Sequence, residues 1–292
     1  MALSLCDAAL DVLNTADARA KCEKTRQYAA AWRAGDIPQI GQADLPDRPA
    51  RPDTPALLMP RDMPKRAKAG SKRAKIALLH ALAHIELNAV DLAWDLLSRF
   101  APQNASGSTV ASSVETSAQS SFVLPHEFYD DWVKVADDEA KHHLMLEERL
   151  NDLGATYGDL PAHDGLWEAS VKTAHDFAAR LAIVPMVLEA RGLDVTPNMI
   201  AAMDTHGDTK TAEILQIIHD DEVTHVSAGT RWFKAWCAHH GLDAQEHWQH
   251  LVRTYFNGLL KSPFNHPSRY EAGMIRDWYE PLSDLASDLA SD

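Results

Sequence analysis

A six-residue motif, Asp-Asp-Glu-x-x-His, occurs twice in this chain, at residues 137–142 and 220–225. In a helix, residues three apart lie on the same face, so the Glu and the His of each copy point the same way. A carboxylate and an imidazole one turn apart can bind the same metal ion. One such motif is a weak signal because short matches occur by chance, but two copies that share the preceding Asp pair are a much stronger one. The repeat therefore predicts two metal-binding helices.

Two further glutamates stand alone among the apolar residues of predicted helices. Glu86 lies in the apolar stripe of a helix predicted at 71–98, and Glu189 lies in that of a helix predicted at 166–191. A lone buried carboxylate is costly unless it is paired or bound to metal. The alternative, buried ion pairs without a metal, leaves both glutamates without cationic partners on their own stripes. The candidate metal ligands are Glu86, Glu139, His142, Glu189, Glu222 and His225.

Two Glu-x-x-His helices, each opposed by a helix with a single Glu, form the ligand pattern of the two-metal ferritin-like four-helix bundles. Four carboxylates balance the charge of two divalent ions. Mixed oxygen and imidazole ligands suit iron or manganese, and the lack of Cys ligands disfavours structural zinc. We therefore expect two iron ions, with manganese as the alternative. We also expect Asp138 and Asp221 to accept hydrogen bonds from the rings of His225 and His142, respectively, with exposed helix carboxylates as the simpler alternative.

The apolar periodicity predicts the helices that position these residues. The four bundle helices are expected at about 71–98, 125–153, 166–191 and 208–239. Pro185 lies one turn before Glu189 and should kink the third helix. Gly229 lies one turn beyond His225, where it either leaves a gap near the site or allows close helix contact.

Outside these helices the composition changes. Residues 1 to about 34 have helical periodicity, and seven prolines between 38 and 64 favour an extended strap over a flexible linker, with Leu57–Met59 available for burial. Residues 101–124 are rich in Ser and Thr and predict a long loop. We therefore expect an all-α protein composed of an N-terminal helix and Pro-rich strap (1–70), a ferritin-like four-helix bundle (71–240) and a C-terminal extension packed on it (241–292).

The net charge of −14 argues against a general nucleic-acid binder. A basic cluster between Arg61 and Lys75 is either a solvated helix start or a site for an anionic substrate or a nucleic-acid phosphate, so a nucleic-acid substrate stays open. The three cysteines have no Cys-x-x-Cys spacing, and the N-terminus lacks the features of a signal peptide. No apolar run reaches about 18 residues. We expect a soluble cytoplasmic protein without a membrane span.

The sequence resembles a family of uncharacterised bacterial ferritin-like proteins known as domain of unknown function 455. The resemblance rests on HALAHIELNAVDLAWD at 80–95, VLEARGLDVTP at 187–197, HDDEVTHVSAG at 219–229 and SPFNHPSR at 262–269. It covers most of the chain from the strap onward and implies a ferritin-like bundle with a two-metal centre. More distantly the chain is similar to the diiron hydroxylases, including their tRNA-modifying branch, and this relation maps the same six residues onto the ligand positions.

Three functions remain open at this point. The first and preferred one is a diiron oxygenase or hydroxylase, which requires an electron donor and a small-molecule or modified-nucleotide substrate. Arg191 is a candidate for holding an anionic substrate, and Asn265 and Arg269, which match the C-terminal motif of the family, are further candidate contacts. The second is a ferroxidase, an iron-storage protein or a dimanganese catalase, although the terminal extensions would crowd a storage cage. The third is a non-catalytic binding module, against which the intact ligand set argues. A homodimer is also considered.

Overall fold

The computed structural model describes residues 3–64, 70–101 and 122–284. Within these ranges the regular structure is helical and no strand is formed, so the predicted all-α class is confirmed. A π-helical segment, Val184–Glu189, joins the sixth helix to the seventh. The helices are α1 (Leu5–Leu13), α2 (Ala18–Ala34), α3 (Lys72–Arg99), α4 (His126–Asp152), α5 (Gly165–Lys172), α6 (Phe177–Ile183), α7 (Ala190–Thr205), α8 (Thr209–His240), α9 (Ala244–Tyr255), α10 (His266–Glu271) and α11 (Arg276–Tyr279).

Three long helices, α3, α4 and α8, lie close to their predicted positions. The side chain of Ser71 accepts a hydrogen bond from the Ala74 N–H and begins α3, and Asp208 does the same for Thr211 at the start of α8. Helix α8 ends at Gly241, whose φ of 67° is in the left-handed region that favours glycine. Helix α4 packs along α3 and against α8, while α7 and the π-helical segment pack against α8. Both copies of the repeated motif thus lie on helices that face each other.

The prediction of one helix over 166–191 is wrong in its continuity and in its end. Helix α5 stops at Lys172, and Asp176 then caps a new helix by accepting a hydrogen bond from the Ala179 N–H. The predicted disturbance at Pro185 takes the form of the π-helical segment, where a residue without an N–H group is readily accommodated. Helix α7 continues past Gly192 to Thr205 because this glycine does not adopt the left-handed conformation of a helix end.

The prediction of one N-terminal helix to residue 34 is also wrong. The chain leaves α1 at Asn14 and enters α2 after Asp17, whose side chain caps the second helix. The strap that follows runs along the other helices, and its Gln39 carbonyl accepts a hydrogen bond from the Leu5 N–H. The expected burial of Leu57–Met59 is not found, since these side chains are 37–56% exposed. Backbone hydrogen bonds to Ala162 hold this part of the strap instead.

A buried cluster of charges joins α2, the strap and α3. Lys21 Nζ lies 2.5 Å from Asp91 Oδ1, and Arg51 Nη2 lies 2.9 Å from Asp91 Oδ2. Lys21 also donates a hydrogen bond to the carbonyl of Ala50 in the strap. Lys21 and Asp91 are fully buried, so each charge depends on its partners.

The C-terminal segment, which contains α9 to α11, packs on α6, α7 and α8. Helix α9 packs against α6 and α8, α10 against α7 and α8, and α11 against α9. Most of the loop predicted at 101–124 and part of the basic cluster, Lys65 to Lys68, lie outside the described residues. In the described part of the chain one helix, α3, is long and apolar enough to cross a membrane, but 67% of its apolar window is buried. Its apolar character is that of a core helix.

Candidate metal centre

The six predicted ligands come from α3, α4, α8 and the end of the π-helical segment. Glu139, His142 and His225 are fully buried, and Glu86 and Glu222 are 3% and 8% exposed. Glu189, the last residue of the π-helical segment, is half-buried. Carboxylates are rarely buried unless they are paired or bound to a metal. Such a concentration of them in a helical core therefore requires a specific partner.

Glu139 lies between the two histidines. Its Oε2 atom is 3.6 Å from His142 Nδ1, and its Oε1 atom is 3.0 Å from His225 Nδ1. Glu86 Oε2 lies 3.1 Å from His142 Nδ1, and Glu222 Oε2 lies 3.9 Å from His225 Nδ1. Each imidazole therefore faces two carboxylates through its Nδ1 atom, and Glu139 belongs to both groups.

Several of these atoms are buried without a hydrogen-bond partner. They are both carboxylate oxygens of Glu139, one oxygen each of Glu189 and Glu222, and Nδ1 of His225. Buried polar groups are usually satisfied, so five such atoms gathered in one cluster indicate a common partner. Two ligand atoms bound at right angles to one ion at ~2.1 Å lie ~3 Å apart, close to the shorter separations found here. The ligand atoms of Glu86, Glu139, His142 and Glu222 lie within 4.8 Å of one another and could hold a metal ion.

The close packing of these charges shifts their pKa values strongly. Burial raises the pKa of Glu86 and of Glu189 to about 8, and the negative charge of Glu139 adds to the shift. Burial would also raise the pKa of Glu139, but its contacts with His142 and His225 outweigh burial and hold that pKa below its ordinary value. Burial would lower the pKa of His225, but Asp138 and Glu139 raise it to about 10. The cluster thus requires positive charge, which protons or bound cations supply.

The outer ring nitrogens of both histidines face aspartates. His142 Nε2 lies 2.9 Å from Asp221 Oδ2, and His225 Nε2 lies 3.3 Å from Asp138 Oδ2. Each aspartate comes from the helix opposite its histidine. An acceptor at this position keeps the proton on Nε2 and leaves Nδ1 free to bind a cation.

Lys141, which was not among the residues predicted from the sequence, contacts both of these aspartates. Its Nζ atom lies 3.0 Å from Asp138 Oδ1 and 2.6 Å from Asp221 Oδ2. The sequence gives no clear signal for this residue, because it occupies one of the two variable positions of the motif, where the second copy has Thr224.

The three predicted substrate contacts are engaged with the protein itself. Arg191 Nη1 donates to the carbonyl of Lys261 at 2.6 Å. Arg269 is 3% exposed and binds both oxygens of Asp194 at 2.7 and 2.8 Å. The backbone N–H of Asn265 donates to the same carboxylate at 2.9 Å. All three residues therefore help to hold the C-terminal segment on α7. Their role in binding substrate stays a prediction.

Gly229 lies in close contact with the π-helical segment. A Cβ atom at this position would lie 2.6 Å from both Cβ and Cγ of Pro185 and 3.7 Å from Cγ of Met186. Of the two interpretations of this glycine, the close helix contact is the one that the structure shows.

Comparison with known proteins agrees with the resemblance noted in the sequence. The family model described as "Protein of unknown function (DUF455)" matches residues 14–280. A protein of Haemophilus influenzae, described as an uncharacterized protein, is 38% identical over 264 residues, which is 86% of each chain. No solved structure matches the sequence. With the family model covering most of its length, the chain belongs to the DUF455 family, whose function is unknown.

Proposed function

We propose that this protein is a ferritin-like four-helix bundle that binds two iron ions and uses them as an oxygen-activating oxidoreductase of the hydroxylase type. The observation that carries the proposal is the position of Glu139 between two histidines, each of which faces a further carboxylate. The lack of a well-formed hydrogen bond at these buried atoms supports it, because a cation between them would satisfy them together.

The contacts divide the proposed ligands into two groups that share Glu139. Glu86 and His142 would bind the first ion together with one oxygen of Glu139. Glu222 and His225 would bind the second ion together with its other oxygen. Glu189, whose pKa is influenced by the charges of Glu139 and His225, would join the second group. Four carboxylates and two imidazoles match the charge and ligand preference of two ferrous ions, with manganese as the alternative.

When bound, a dinuclear iron centre would supply the electrons that reduce oxygen. The protein would direct this reaction toward a bound substrate. Full burial of Glu139, His142 and His225 excludes bulk water from the ligands. Asp138 and Asp221 orient the two imidazoles through their Nε2 atoms. The reaction also needs an external electron donor and an organic substrate, which we expect to be a small molecule or a modified nucleotide.

Metal analysis tests the metal centre. The purified chain is loaded with ferrous iron in air, desalted and assayed for iron, and about two ions per chain are expected. Glu139→Gln should lose both ions because the carboxylate is shared, whereas Glu148→Gln, an exposed glutamate on the same helix, should retain them. Absence of both iron and manganese from the wild-type protein would show that the carboxylates serve only the fold.

Oxygen consumption tests the reaction class. The iron-loaded protein should consume oxygen when a chemical reductant is supplied, and the Glu139→Gln variant should not. In the metal analysis, many iron ions per chain would indicate iron storage instead. Consumption of hydrogen peroxide by the manganese-loaded protein, without oxygen consumption by the iron-loaded one, would indicate a catalase.

A further inference from the structure

Lys141 lies on the outer side of the proposed centre, between α4 and α8. Its contact with Asp138 joins residues three apart on one helix, an arrangement that is common and contributes little by itself. Its contact with Asp221, at 2.6 Å, crosses to the facing helix. The side chain is 31% exposed, so the ammonium group reaches the surface while it holds two less exposed carboxylates.

The two aspartates that Lys141 holds are those that face the histidines. One hydrogen-bonded path runs from Lys141 through Asp221 to His142, and the other runs from Lys141 through Asp138 to His225. Lys141 is therefore one residue removed from both imidazoles, which lie on different helices. Within the described residues no other cation contacts both aspartates.

Charge explains why a cation is needed at this point. Asp138 Oδ1 and Asp221 Oδ2 lie 3.0 and 2.6 Å from the same Lys141 Nζ atom, so the two carboxylates lie close to each other. Without the lysine the two carboxylates would repel each other and lose their alignment with the rings.

We propose that Lys141 is a positioning residue for both histidines of the centre at once. The proposal rests on the proposed function, because the histidines are taken as metal ligands. Loss of Lys141 should weaken the binding of both ions together. Loss of Lys134, which lies 2.6 Å from Asp138 and does not contact Asp221, should affect at most the ion bound by His225.

The test compares four variants of the full chain. Lys141→Met removes the bridge and Lys141→Arg keeps its charge and its donors. Lys134→Met removes the one-sided contact. Lys210→Met is the matched control, since this lysine forms an exposed ion pair with Asp152. Manganese binding is followed by the electron paramagnetic resonance of free Mn²⁺, and the ring nitrogens of His142 and His225 are followed by ¹⁵N NMR of the metal-free protein.

We expect Lys141→Met to weaken both manganese-binding steps about tenfold, the lower end of the effect of removing a partner of a ligating histidine. Lys141→Arg should restore most of the affinity, and Lys210→Met should match the wild type. In the metal-free protein, Lys141→Met should shift the Nε2 signals of both rings. Unchanged ring signals and unchanged affinities in Lys141→Met would overturn the inference while leaving the metal centre intact. A wild-type chain that binds no metal would overturn the proposed function and this inference with it.

Discussion

Replacing Gly229 by alanine tests how closely α8 must approach the π-helical segment. The added Cβ would lie 2.6 Å from two atoms of the Pro185 ring. Carbon atoms in contact are normally about 3.5–4.0 Å apart, so one of the two elements must move by about 1 Å. Neither can yield easily, because the proline ring is rigid and α8 is a long helix packed against five other helices.

The expected change in stability follows from two opposing effects. Overpacking of this kind costs about 1–3 kcal/mol, and the rigidity of both elements favours the upper end of that range. Alanine in place of glycine within a helix returns about 1 kcal/mol. The variant should therefore lose about 2 kcal/mol of unfolding free energy. Because Glu189 ends the segment that contains Pro185, the variant should also retain less metal.

Gly192→Ala is the matched control. This glycine lies in α7, three residues beyond Glu189, and a Cβ there would meet nothing within 4 Å. The same substitution should therefore stabilise the protein, by up to about 1 kcal/mol. Urea unfolding of both variants measures the difference through the midpoint of the transition. If Gly229→Ala is as stable as the wild-type protein, or if the two variants respond alike, the proposed close contact is not rigid and the reasoning fails.

Three further predictions concern other parts of the molecule. Lys21→Met should destabilise the protein by about 3 kcal/mol, the lower end for a broken buried ion pair, because Arg51 still contacts Asp91; a loss in urea unfolding below about 1 kcal/mol would contradict this. Burial raises the pKa of Cys237 to about 12, and the other two thiols are also buried, so a thiol reagent at pH 8 should label the cysteines only after unfolding; rapid labelling of the folded chain would show an exposed thiol. Removing metal with a chelator should lower the melting temperature of the wild-type protein and leave that of Glu139→Gln unchanged, since a ligand stabilises only the state that binds it.

The positions of α3, α4 and α8 could be predicted because their signals are local. Each has a continuous apolar stripe, and α3 and α8 begin at a side chain that caps the first turn. The candidate ligands could be selected for a related reason. A carboxylate inside an apolar stripe conflicts with its surroundings, and that conflict is visible in the sequence before any contact is known.

The remaining features depend on contacts between distant parts of the chain. Whether Gly192 ends a helix depends on its backbone angles, which the packing of α7 against α8 decides. Lys141 could not be identified from the sequence because its partner on the facing helix, Asp221, is 80 positions away. The predicted burial of Leu57–Met59 was wrong for a different reason. Apolar side chains are common on protein surfaces, so burial cannot be read from residue type alone.

The N-terminal segment imposes an order on how the chain folds. Its first helix packs against α3, its second against α4, and its strap pairs with Ala162. Residues 3–64 are therefore synthesised before any of these partners exist, and they can reach their final positions only after the chain has been extended past residue 162. Contacts over such separations form slowly because a long loop must close first. During synthesis the apolar face of α1 stays without α3, so this surface favours aggregation until its partner helix has been made.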